Sequence, residues 1–76
     1  MNTRNIAFAS NKLRDVRNLF RQMLAPLYPQ GEVDAMFGML CEEYLGMDTA
    51  RTLLHIDEPI NQSDLLRFHW ALEDLK

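Results

Sequence analysis

The stretch Gln30-Gly31-Glu32-Val33-Asp34-Ala35-Met36-Phe37-Gly38-Met39-Leu40-Cys41-Glu42-Glu43-Tyr44-Leu45-Gly46-Met47-Asp48 decides the fold. Val33, Met36, Phe37, Leu40, Cys41 and Tyr44 recur at three- and four-residue spacing, which puts them on one broad face of a helix, with Met39 and Leu45 flanking it. Glu32 and Asp34 fall in the first turn, where the helix dipole favours negative charge. Little here is polar, so this helix is expected to be the most buried of the chain. Gly38 inside it costs about 1 kcal/mol relative to alanine. The expected compensation is close approach of a neighbouring helix over Ala35 and Gly38. Gly46 stands where a left-handed residue ends a helix, and Met47 follows to supply the apolar contact.

The pattern continues in both directions. Upstream, Leu13, Val16, Phe20, Met23, Leu24 and Leu27 follow helical spacing, with Ser10 or Asn11 available as cap. Pro26 and then Pro29-Gln30-Gly31 break the run, so a first helix is expected over residues 11–25. Downstream, Asp48 caps a short helix from Thr49 to about His55. Asp57-Glu58-Pro59 is a polar turn. Asn61 then caps a last helix, with Asp64 three residues on in a variant of the capping box. Leu65, Phe68, Leu72 and Leu75 form its core face. The only plausible strand, Leu53-Leu54-His55-Ile56, is short. The reading is all-α: a small bundle of four to five short helices over residues 10–76. Residues 1–9 lack periodicity and read as a flexible or loosely docked segment. The helical pattern still runs at Lys76, so the natural chain is expected to continue.

With 76 residues the chain makes one domain. Apolar residues are 47% of it, which rules out a disordered chain starved of core residues. Cys41 is the single cysteine, so no internal disulfide can form. No secretory signal is recognisable at the start, and no run approaches the roughly 20 apolar residues of a membrane helix. The chain reads as cytoplasmic. Its net charge of −3 is unevenly spread. Residues 1–30 carry Arg4, Lys12, Arg14, Arg17 and Arg21 against Asp15, whereas the remainder is strongly acidic. An acidic domain is a poor general nucleic-acid binder, since phosphate neutralisation dominates that affinity.

No catalytic constellation emerges. The glycines Gly31, Gly38 and Gly46 are scattered, so no phosphate-cradling loop exists. His55 and His69, with Cys41 on an apolar face, lack the spacing of a zinc site. Cys41 among Phe37, Leu40 and Tyr44 reads as a packing residue, not a nucleophile. His69 reads as a boundary residue beside the core face of the last helix. Adjacent helical residues point about 100° apart, so Glu42 and Glu43 do not converge on a substrate. An acyl-carrier domain would want a serine after an aspartate at a helix start, and Ser63-Asp64 has the reverse order.

Two surface features carry the candidate partner-binding residues. Arg14, Arg17 and Arg21 lie at i, i+3 and i+7, a stripe beside the apolar face of the first helix. Their stems can cover the core edge. Alternatively they contact RNA or an acidic protein, and the lack of an aromatic in the stripe weakens the RNA version. Leu66 and Trp70 lie at i and i+4 on the last helix, away from its core face. Either they pack under Ile6 and Phe8, or they form an exposed apolar patch for a partner or a following domain.

Three pieces in order carry a family likeness: the apolar helix ending Glu42-Glu43-Tyr44-Leu45-Gly46-Met47-Asp48, the short helix into Leu53-Leu54-His55, and Asp57-Glu58-Pro59-Ile60 before the capped helix from Asn61. Over Leu27 to Lys76 the chain resembles the N-terminal domain of the HemK/PrmC family, the peptide-chain release factor glutamine methyltransferases. Each piece is a pattern of apolar positions and caps, and none is a catalytic signature. The resemblance implies a parent enzyme that moves a methyl group from S-adenosylmethionine to the glutamine amide of a release factor's Gly-Gly-Gln loop. It implies a C-terminal catalytic domain with a glycine-rich loop and an Asn-Pro-Pro-Tyr motif, neither of which occurs here. This chain would then hold no catalytic, cofactor or metal residue of its own. Its partners would be the release factor and its own catalytic domain. The main rival is a free-standing helical interaction or regulatory domain. A helix-turn-helix DNA binder fits poorly with the acidic C-terminal half.

Overall fold

The computed structural model describes residues 10–76. Among them four α-helices follow in order: α1 Leu13–Leu24, α2 Gln30–Leu45, α3 Thr49–Leu54 and α4 Gln62–Leu75. The all-α architecture is the one expected. No strand occurs among the described residues, and Leu53-Leu54 closes α3. Residues 1–9, with the expected packing of Ile6 and Phe8, lie outside the described residues.

Helix α1 buries Leu13, Val16, Phe20 and Leu24, one side of the helix at successive turns. Met23 and Leu27, read from the sequence as part of that face, are exposed. The helix ends at Leu24, and the chain turns through Ala25–Tyr28, which carries Leu27 off the stripe.

The start of α1 differs from the expected serine or asparagine cap. Lys12 occupies the cap position and its side chain makes no capping bond. The first amides are satisfied from a distance instead. The Leu13 amide donates to the Glu58 carbonyl at 3.1 Å, and the Arg14 amide to the Ile56 carbonyl at 2.6 Å. Asn11 and Ile60 bond each other: the Ile60 amide donates to the Asn11 carbonyl at 2.9 Å, and Asn11 Nδ2 donates to the Ile60 carbonyl at 3.2 Å. The turn between α3 and α4 thus closes the N-terminus of α1, where a helix otherwise leaves its amides unpaired.

The other caps follow the sequence. Asp48 accepts from the Arg51 amide at 2.9 Å, and Asn61 accepts from the Asp64 amide at 2.8 Å. Gly46 takes φ 67°, and its amide donates to the Glu42 carbonyl at 3.1 Å. Met47 packs against the core beyond it. At the far end of α4 the Tyr28 hydroxyl donates to the Leu75 carbonyl at 3.1 Å, satisfying one of the terminal acceptors.

The core centres on aromatic rings from α1, α2 and α4. Phe20 meets Phe37 at 5.4 Å between centroids, Phe37 meets Phe68 at 5.5 Å, and Tyr44 meets Phe68 edge-on at 5.2 Å. Leu72 and Cys41 complete the buried layer. Helix α2 is not the most buried element: it buries Val33, Phe37 and Cys41, against four core residues from α1. Its partners cover one side only, and Met39 stands 68% exposed. The expected close approach over Gly38 is also absent. A Cβ built there meets nothing within 4 Å.

Candidate partner-binding surfaces

The three arginines of α1 share a face, but they are not equivalent. Arg14 grips Asp57 through two bonds, Nε to Oδ1 at 2.6 Å and Nη2 to Oδ2 at 3.3 Å. Arg21 grips Asp34 in the same way, at 2.8 Å and 3.2 Å. Such fork-on-carboxylate pairs fix geometry as well as charge. The bonds to their carboxylates raise the pKa of both guanidinium groups, and the Arg14 bond holds the Asp57 carboxyl below its usual range.

Arg17 stands between these two pairs without an ion-pair or hydrogen-bond partner among the described residues. Its Nε is buried. Burial first, and the charges of Arg21 and Arg14 second, push its pKa down. Arg17 faces a cleft of about 190 Å³ between α1, α2 and α3, lined also by Arg21, Asp34, Gly38, Thr49 and Thr52. Gly38, unexplained by packing, forms part of this cleft wall.

Leu66 and Trp70 are both exposed, at 42% and 60%. The structure separates their surroundings. Trp70 walls a groove of about 380 Å³ between α2 and α4, opposite Met36, Met39, Leu40 and Tyr44; Leu66 does not line it. The Arg67 guanidinium sits over the Tyr44 ring at 5.8 Å from its centroid, so this cation adds a flat surface to the groove. Glu43 and Asp74 bring negative charge to the rim. Sequence reading marked Trp70 but not the methionines facing it. Their signal was present in the apolar run Met36 to Leu40, which is wider than one buried stripe requires.

Cys41 is fully buried, and burial pushes its thiol up to about 11. His55 Nδ1 pairs with Glu58 at 2.8 Å on the surface of the closing turn. Among the described residues no three histidine, cysteine or acidic side chains gather as a metal site, and no helix is long and apolar enough to cross a membrane. The arrangement offers surfaces for binding: an apolar groove with an acidic rim, and a small cationic cleft.

No family model, curated protein or solved structure matches the chain.

Proposed function

We propose that this chain is the substrate-recruiting domain of a cytoplasmic release factor glutamine methyltransferase. In this reading it holds the release factor while a C-terminal domain transfers the methyl group from S-adenosylmethionine to the Gly-Gly-Gln loop. The α2–α4 groove carries the proposal. Its walls come from the two longest helices, and both belong to the segments whose sequence resembles the HemK/PrmC family. An exposed tryptophan opposite methionines is the residue chemistry of a protein-binding surface: large apolar area with an adaptable wall. The groove supplies binding remote from the reacting amide, and such binding holds the amide in a productive geometry.

The test is kinetic, on the intact parent enzyme and on the same enzyme lacking this domain. Deletion is expected to lower kcat/KM for a whole release factor while S-adenosylmethionine binding stays intact. Equal kcat/KM with and without the domain contradicts the proposal. The rival is a free-standing helical interaction module using the same groove. The open reading frame discriminates: a glycine-rich loop and Asn-Pro-Pro-Tyr encoded after Lys76 favour the methyltransferase, and a stop codon there favours the module.

A further inference from the structure

Two side-chain polar atoms among the described residues are buried without a well-formed hydrogen bond, Arg17 Nε and Thr52 Oγ1, the latter beside the Cys41 thiol, a weak acceptor. Both residues line the cleft between α1, α2 and α3. A buried donor left unpaired costs free energy, and two at one small cleft point to something that completes them. Both are donors of the kind that bind an oxyanion: a guanidinium N–H and a hydroxyl.

The surrounding charge selects the anion. Arg17 and Arg21 bring two positive charges, and Asp34 cancels one of them through its grip on Arg21. One positive charge is left, which a monoanion neutralises and a phosphate dianion overshoots beside Asp34. The same α1 face already holds two carboxylates, Asp57 on Arg14 and Asp34 on Arg21, so its guanidinium groups suit that partner geometrically. A volume of about 190 Å³ admits a carboxylate on a short stem. Gly38 adds no side chain to the cleft wall, and no neighbouring side chain or helix comes within 4 Å of where its Cβ would be.

We infer that the Arg17–Thr52 cleft is a binding site for a single carboxylate, the side chain of a glutamate or aspartate presented by a protein partner. Arg17 donates through its guanidinium and Thr52 through its hydroxyl, while Arg14 and Arg21 stay on their own carboxylates. The inference holds whichever protein the partner is, so failure of the release-factor reading leaves it standing.

The test follows the arginine Nε–H resonances of the isotope-labelled full chain at constant ionic strength. The probes are the blocked peptides Ala-Glu-Ala and Ala-Gln-Ala, acetate, inorganic phosphate and chloride. The glutamate peptide is expected to shift the Arg17 resonance along a saturating curve, with Arg14 and Arg21 unmoved and the glutamine peptide silent. Thr52→Val should weaken that binding about fivefold, one hydrogen bond's worth, and Thr52→Ser should retain it. Arg17→Gln should abolish it, with circular dichroism reporting the fold. A glutamine peptide as effective as the glutamate one, or a Thr52→Val curve equal to the unaltered chain's, overturns the site. Phosphate saturating before the glutamate peptide overturns the choice of carboxylate, and acetate saturating before it overturns the side-chain source.

Discussion

Arg21 holds Asp34 by two parallel bonds, Nε to Oδ1 at 2.8 Å and Nη2 to Oδ2 at 3.2 Å, tying α1 to the first turns of α2. With Arg14 similarly held by Asp57, two of three cations in the arginine stripe serve the fold. The stripe is an internal brace with one open position, Arg17.

The Arg21–Asp34 brace is about one-third exposed on both sides, so solvent screens it. A double-mutant cycle with Arg21→Ala and Asp34→Ala is expected to give a coupling of about 0.5–1 kcal/mol by urea denaturation. It should shrink in high salt. A coupling indistinguishable from zero at low salt would mean the pair adds nothing to the fold.

Thr52→Val removes a buried hydroxyl that lies beside the Cys41 thiol without a well-formed hydrogen bond. The substitution is expected to stabilise the chain by up to about 1 kcal/mol, since an unpaired buried hydroxyl is a cost. The denaturation midpoint checks it, and a drop in midpoint would show that the hydroxyl is satisfied in solution.

Gly38 and Gly46 should respond oppositely to alanine. At Gly38 a methyl group meets nothing within 4 Å and the helix is regular, so Gly38→Ala gains about 0.5–1 kcal/mol. At Gly46 the backbone is left-handed with φ 67°, and Gly46→Ala loses about 1 kcal/mol or more. Thermal unfolding of both variants separates the two effects.

The Cys41 thiol has a folded pKa of about 11 against 9.0 for the free group. Its burial therefore favours the protonated form. The stability linked to it is fully present below pH 9 and is lost as pH rises towards 11. A disulfide reagent at pH 8 should label Cys41 only through opening of the fold, at a rate that rises with urea. Fast labelling of the native chain would place the thiol at the surface.

Local features were legible in the sequence because their partners lie within a few residues. Asp48 meets Arg51, Asn61 meets Asp64, and Gly46 closes α2 on Glu42. The closure of α1 was not, since its amides reach carbonyls at Ile56 and Glu58 through backbone alone, which no side chain announces. The arginines were visible as a stripe. Their occupancy was not: Arg14 and Asp57 stand 43 positions apart. Helix α2 is apolar over much of its surface, and such a pattern does not say which side its neighbours leave open. Met39, which flanks the apolar face, therefore gives no sign in the sequence that it walls a groove.

The central claim is that the α2–α4 groove receives a release factor. The most direct measurement is a titration of the isotope-labelled chain with a bacterial release factor, read by amide shifts, with S-adenosylmethionine as control. The account predicts shifts at Met36, Met39, Tyr44 and Trp70, their loss in a folded Trp70→Ala variant, and none from the cofactor. Absence of shifts with the release factor, or shifts unchanged by Trp70→Ala, would contradict it.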